Sequence, residues 1–232
     1  MSKVLSIDLK RDELNTKFGG GIPRNSLILV EGEDGAGKSI LAQRISYGLI
    51  EQGHTVTYIS TELDTLGFVK QMSSIKYKVT DYLLDDKYMF IPMFPYYGNA
   101  ELDENFMEKL FSTEKLFEKE IIIFDTLSFL IIQENISHKQ TFDLIQFVKK
   151  INSLEKTLIF CVDPDHLNER FLTLLRSVCD VYFNLEIKMV LGNLLRIINV
   201  RRFRRSRGEV TTAIPFKVLP NVGLAIELAS LS

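Results

Sequence analysis

The chain has 232 residues, 46% of them hydrophobic, a formal net charge of −2 and a pI near 6.0. That balance suits one globular unit with a sizeable core and gives no bulk drive toward nucleic acid, although a local basic patch stays open. No apolar run reaches the roughly 18 residues of a membrane span, and "MSKVLSIDLKRDELN" carries charge too early for a signal peptide, so a cytoplasmic protein is expected.

Taken in chain order, "SLILVEG" (26–32) reads as a strand and Lys38 to Gln52 as a helix. "TVTYIS" (55–60) is a strand, Thr65 to Ile75 a helix, and "YMFIP" (88–92) a strand. Asp103 to Phe117 has Phe106, Leu110 and Phe117 at helical spacing. "EIIIFD" (120–125) is a strand apolar on both faces. Ser137 to Asn152 reads as a helix, Thr157 to Val162 as a strand, Leu167 to Arg176 as a helix and Asp180 to Leu185 as a strand. Continuously apolar strands alternating with helices imply a mainly parallel sheet covered on both faces. From about Val181 to Leu228 the turn signals "LGN" (191–193), "SRG" (206–208) and "LPNVG" (219–223) predict antiparallel hairpins at one edge. The expected organisation is a single α/β domain over 1–232, with a parallel core at 1–185 and an antiparallel edge at 186–232. Cys161 and Cys179 lie in strand-like apolar stretches and read as buried free thiols.

"GEDGAGKS" matches G-x-x-x-x-G-K-[ST] at Gly32, Gly37, Lys38 and Ser39, with a strand leading in and a helix leading out. Gly32, Gly35 and Gly37 are expected to take positive φ and bring backbone N–H groups close to phosphate oxygens. The following helix points its positive end at the same oxygens. Lys38 supplies a mobile cation near the β and γ phosphates, and the Ser39 hydroxyl is a natural Mg²⁺ ligand. The candidate phosphate cradle is Gly32, Asp34, Gly35, Ala36, Gly37, Lys38, Ser39 and Ile40.

The strand "EIIIFD" ends in Asp125, at the sheet edge where ligands gather, and this carboxylate with Ser39 is the candidate metal pair. Asp125 is followed by Thr126, so no adjacent acid can activate water; Glu62 in "TYISTEL" is the candidate for that role, beside the equal reading of a solvated loop carboxylate. Lys38 and Glu62 are thus the candidate catalytic residues. Asp163 in "VDPDH" reads as a turn residue beside Pro164 or as a nucleotide-sensing one. His54, His138 and His166 have no metal spacing. "YMFIPMFPYYGN" (88–99) reads as an aromatic loop pinned to the body, and "SFLIIQENISHK" (128–139) as a packed segment or a switch. "NVRRFRRSRG" holds Arg201, Arg202, Arg204, Arg205 and Arg207; strand alternation would put Arg202 and Arg204 on one face and Arg201 and Arg205 on the other. A solvated hairpin tip, a subunit or partner interface and a nucleic-acid patch all fit that run.

The stretch "LNTKFGGGIPRNSLILVEGEDGAGKS" resembles the opening of RecA/KaiC-type ATPases. With "YISTELDT", "IIIFDTLS" and the ending "IPFKVLPNVGLAIE", nearly the whole chain is similar to the archaellum accessory ATPase family FlaH (ArlH). The resemblance implies a RecA-like P-loop fold that binds ATP with Mg²⁺. It implies a regulatory subunit of the archaeal motility motor with weak or no hydrolysis, peripheral to the membrane. Its implied partners are the motor ATPase FlaI, the membrane platform FlaJ and ring-forming accessory proteins, and it leaves room for a homo-oligomer. It aligns Glu62 with the catalytic glutamate position of the RecA/KaiC group. It sets Arg202 and Arg204 where KaiC-type proteins carry a basic-x-Arg pair that reaches a neighbour's nucleotide; those proteins have lysine at the first position. Two other readings are an oligomeric ATPase whose turnover does mechanical or signalling work, and a DNA-binding recombinase relative.

Overall fold

Four apolar runs have no polar face in the sequence, and each becomes a strand buried along its whole length: β3 (Leu27–Gly32), β4 (Val56–Ser60), β6 (Ile121–Asp125) and β7 (Thr157–Val162). The computed structural model describes residues 4–93, 112–128, 146, 150–151, 153–190 and 192–227. Around those strands lie β5 (Tyr88–Pro92), β8 (Val181–Val190), β9 (Asn193–Phe203), β10 (Ala213–Leu219) and β11 (Gly223–Ile226). They form one sheet in the order β11-β10-β9-β8-β3-β7-β6-β4-β5. The pairs β8/β3, β3/β7, β7/β6, β6/β4 and β4/β5 are parallel, whereas β8/β9, β9/β10 and β10/β11 are antiparallel. This is the expected RecA-like α/β architecture.

β8 joins the two halves. Its first five residues pair in parallel with β3, from Ile28↔Val181 to Gly32↔Leu185, while its whole length pairs antiparallel with β9. It therefore runs past Leu185, where the apolar pattern alone would stop it, because β9 continues to satisfy its backbone groups up to Val190. A small antiparallel pair, β1 (Val4–Leu5) with β2 (Ile22–Pro23), precedes the main sheet.

The helices with described bounds are α1 (Leu14–Lys17), α2 (Lys38–Glu51), α3 (Thr65–Ser74), α4 (Thr80–Leu84) and α5 (Glu169–Val178). α2 is buried almost all round. Its Arg44 is wholly buried: Nε and Nη2 donate to the Asp12 carboxylate at 2.7 Å each, and Nη1 donates to the Ile7 carbonyl at 3.0 Å. A guanidinium with a bidentate partner and a backbone acceptor is a satisfied buried charge, and it fixes the N-terminal segment to α2. α3 opens where Asp64 accepts from the Gly67 N–H at 2.6 Å. α5 starts two residues later than its apolar spacing suggests, because the Asn168 side chain caps the Phe171 N–H at 2.9 Å. Phe171, Leu172 and Leu175 form its buried stripe.

Other expectations need correction. Residues 103–111 of the expected helix 103–117 lie outside the described residues, and Glu114–Phe117 is a 3₁₀ turn. The expected helix 137–152 also falls mostly outside them, as do 94–99 and 129–139. Cys179 is not on a strand; it caps the C-terminal end of α5. Both thiols are buried and free.

Candidate phosphate-binding site

All the parallel strands end at the same edge of the sheet, so the loops after β3, β4, β6 and β7 converge there. The loop after β3 is the "GEDGAGKS" segment. Gly35 and Gly37 have φ of +74° and +97°, as expected of this loop. Gly37 is also the N-cap of α2, and a Cβ on it would stand 2.9 Å from the Phe216 ring. Gly32 departs from expectation: it keeps ordinary strand φ, and its need for hydrogen as side chain is spatial, since a Cβ would meet the Leu185 carbonyl oxygen at 2.9 Å and Ala36 Cβ at 3.1 Å.

Lys38 is buried at the start of α2. Its Nζ donates to the carbonyls of Gly32 and Glu33 at 2.8 Å each and lies 3.6 Å from Asp163 Oδ2. Asp163, just after β7, does two things. Its Oδ1 accepts from the Asp165 N–H at 3.1 Å, capping the 3₁₀ turn Pro164–His166, while Oδ2 faces Lys38.

Asp125, the last residue of β6, is fully enclosed. Ser39 Oγ donates to its Oδ1 at 2.9 Å, and the Tyr58 hydroxyl donates to its Oδ2 at 2.6 Å. Removal from water pushes this carboxyl up to about 6 in spite of those two donors. Burial, with Asp125 beside it, also pushes the Tyr58 hydroxyl well up, so Tyr58 stays a donor at any ordinary pH. The same causes push the Cys161 thiol up and leave it unreactive.

The loops after β4 and β6 interlock. The Thr61 N–H donates to the Asp125 carbonyl at 2.8 Å, and the Thr126 N–H donates to Thr61 Oγ1 at 3.2 Å. Thr126 Oγ1 donates to Glu62 Oε1 at 3.3 Å, which places the exposed Glu62 carboxylate over the phosphate loop. A cavity of about 300 Å³ is lined by Asp34, Gly35, Gly37, Lys38, Ser39, Ile40, Glu62, Arg196 and Val218. The linear sequence hides Arg196 and Val218, which come from the antiparallel strands 150 residues and more further on. It also hides Tyr58, whose role follows only from the β4/β6 register that sets Ser60 beside Asp125.

Among the described residues no group of three or more His, Cys, Asp or Glu side chains is arranged to hold a metal by itself. The donor set that is present, one hydroxyl touching one buried carboxyl whose charge its own surroundings leave under-compensated, fits a hard cation that takes its remaining ligands from phosphate and water.

The arginine run lies elsewhere. Arg202 pairs with Tyr182, near the start of β8, at the opposite edge of the sheet from the phosphate loop. The register shifts between Tyr182/Arg202 and Phe183/Val200, so Arg201 occupies a bulge and the expected alternation fails. Arg202 Nη1 donates to the carbonyls of Arg176 and Cys179 at the end of α5, Arg201 Nη2 reaches Glu186 at 3.2 Å, and Arg205 Nη2 lies 3.3 Å from Asp180. Arg204 lies beyond β9, with its side chain exposed.

The family model described as "ATPase: KaiC" matches residues 12–227. The chain is 38% identical over 99% of its length to the archaeal flagellar ATP-binding protein FlaH of Methanocaldococcus jannaschii, covering 98% of that protein. It is 36% identical over 99% of its length to the FlaH protein of Methanococcus voltae, covering all of it. The crystal structure of the flagellar accessory protein FlaH from Methanocaldococcus jannaschii superposes with a TM-score of 0.91 at 36% identity, covering 97% of this chain and all of that one. This chain belongs to the KaiC family of ATPases and, within it, to the archaeal flagellar FlaH proteins.

Proposed function

We propose that the chain is a Mg-ATP-binding regulatory subunit of the archaellum motor, whose nucleotide state controls its engagement with the motor ATPase FlaI. One observation carries this reading: a P-loop lysine and serine and an exposed glutamate line one cavity, and the serine hydroxyl rests on a buried carboxyl. The amides of the glycine-rich loop and the start of α2 bind the polyphosphate, and Lys38 gives up its contacts with the Gly32 and Glu33 carbonyls to pair with it. Ser39 and Asp125 would hold Mg²⁺, which would neutralise phosphate charge. Glu62, oriented by Thr126, is the group available to position a water against the terminal phosphate.

Slow turnover of the isolated chain is part of this reading, and the position of the arginine run supports it. A transition-state arginine is worth about 10³–10⁵ in rate, and Arg202 is committed to α5 within its own chain. A neighbouring subunit would be needed to bring an exposed arginine of that run, such as Arg204, to a phosphate loop. A platform of FlaJ and ring-forming proteins at the membrane, with the chain itself on the cytoplasmic side, is the proposed setting.

The test is partner capture with purified FlaI in nucleotide-free, ADP and ATP conditions. Capture should depend on nucleotide for the wild type, be lost with Lys38→Ala, and persist with Glu62→Gln, which binds ATP but cannot orient the water. Equal capture in all conditions, or by Lys38→Ala, would contradict nucleotide control.

A further inference from the structure

The ammonium of Lys38 has three N–H groups, and the chain itself occupies its surroundings. It donates to the Gly32 and Glu33 carbonyls at 2.8 Å each, and Asp163 Oδ2 lies 3.6 Å away. The Lys38 and Asp163 side chains are 8% and 7% exposed, so their charges meet with little screening by salt. Polyphosphate explains Lys38 and leaves Asp163 unexplained, because a carboxylate has the wrong sign for a phosphate ligand. Asp163 is not among the residues lining the cavity, so it acts on the site through Lys38 and through its charge. It is also fixed from the other side. Its Oδ1 accepts from the Asp165 N–H at 3.1 Å, and its own N–H donates at 3.0 Å to the hydroxyl of Ser128, which is wholly buried. Turning the carboxylate away would break the cap on the Pro164–His166 turn. A phosphate oxygen at hydrogen-bond distance from Nζ as placed, about 2.8 Å, stands within roughly 6.4 Å of Asp163 Oδ2. Like charges that close and that poorly screened change an equilibrium constant roughly tenfold or more.

Resting on the polyphosphate reading above, we propose that Asp163 is a positioning residue that works against nucleotide: it holds Lys38 back from the phosphates, and its fixed charge opposes the terminal one. Drawing Lys38 onto a phosphate leaves a buried carboxylate that must share its cation. The chain therefore binds triphosphate less tightly than its phosphate loop alone would, and Asp163 sets how much nucleotide is needed to load it. The opposition grows with the negative charge brought to Lys38, so it bears harder on a triphosphate than on a diphosphate.

Calorimetric titration of Mg-ATP and of Mg-ADP into wild type, Asp163→Asn, Asp163→Ser and Ser128→Ala tests this. Asparagine and serine both keep an oxygen that can accept from the Asp165 N–H, and both remove the charge. Each should tighten Mg-ATP roughly tenfold and Mg-ADP by less. Ser128→Ala takes away the acceptor for the Asp163 N–H and leaves the charge in place, so it should tighten neither. A merely structural role for Asp163 would weaken binding when the residue is replaced, not strengthen it. Unchanged or weaker Mg-ATP binding by the two Asp163 variants, a gain shared equally by Mg-ADP, or the same gain with Ser128→Ala would overturn the opposition and leave the phosphate-loop reading standing. Binding of Mg-ATP by none of the four proteins would overturn both.

Discussion

Asp125 sits in a place where a negative charge is costly. It is fully enclosed, with Ser39 and Tyr58 as its hydroxyl donors, and its carboxyl is pushed from the ordinary 3.8 up to about 6 by burial. The sign of the linkage follows. Between those two values the folded chain holds a proton that the unfolded chain releases, so the contribution of Asp125 to stability falls as pH rises through that window. Asp125→Asn should therefore make the nucleotide-free protein more stable than wild type at pH 7–8, by about 1–3 kcal/mol. The gap should close as pH falls toward 4, while Mg²⁺-dependent nucleotide binding is weakened. Denaturant unfolding across pH checks it; equal stability at pH 8 would mean the enclosed charge is compensated by groups other than these donors. At this scale the sequence was informative wherever chemistry is local. Lys38, Ser39 and the end of "EIIIFD" identify themselves by residue type and spacing. Asp163 showed only half its role, since its cap on the next turn is local but its approach to Lys38 depends on β3 lying beside β7.

At the scale of elements, α5 and β9 are tied together by Arg202. Two carbonyls at the end of α5, those of Arg176 and Cys179, accept from its Nη1, and the Ser177 carbonyl lies 3.5 Å away. These carbonyls lack partners within the helix and sit at its negative end, which suits a guanidinium. Arg176 in turn clamps the buried Glu31 on β3 through Nε at 2.8 Å, and the Tyr182 hydroxyl donates to the same carboxylate at 2.9 Å. Glu31 is the residue before Gly32, so the root of the phosphate loop is braced by this chain of contacts. Arg202→Ala should lower unfolding stability by about 1.5–3 kcal/mol, the usual loss for hydrogen bonds to a charged group, with Mg-ATP affinity of the isolated chain unchanged. Chemical denaturation beside nucleotide titration checks both halves; unchanged stability would free Arg202 for a role elsewhere. The run "VRRFRRS" gave no warning of this. Its alternation was legible, but the bulge at Arg201 and the carbonyls of a helix some 25 residues earlier are products of tertiary packing. The parallel strands β3 to β7, the start of β8, α2 and α3 were legible because continuous apolar runs and glycine turns act locally. α4 and the extra length of β8 were not, because each depends on a partner surface.

For the whole molecule, the sheet sorts its functions by edge and by end. The C-terminal ends of the parallel strands gather the phosphate loop, Asp125, Glu62 and Asp163, and the antiparallel strands close that edge with Arg196 and Val218. The arginine run lies at the other end of the same strands, where Glu186 and Asp180 already face two of its members. That separation favours contact between subunits or with a protein partner over a nucleic-acid groove, since much of the basic charge is matched within the chain. The architecture was the most legible property of all, because alternation of buried strands and helices leaves few alternatives. The most direct test of the central claim, that this loop grips a triphosphate, is calorimetric titration of Mg-ATP into the wild type and Lys38→Ala at millimolar magnesium. The account predicts saturable heat with one nucleotide per chain for the wild type and none for the variant; no heat with any purine triphosphate, or the same isotherm for both proteins, would contradict it.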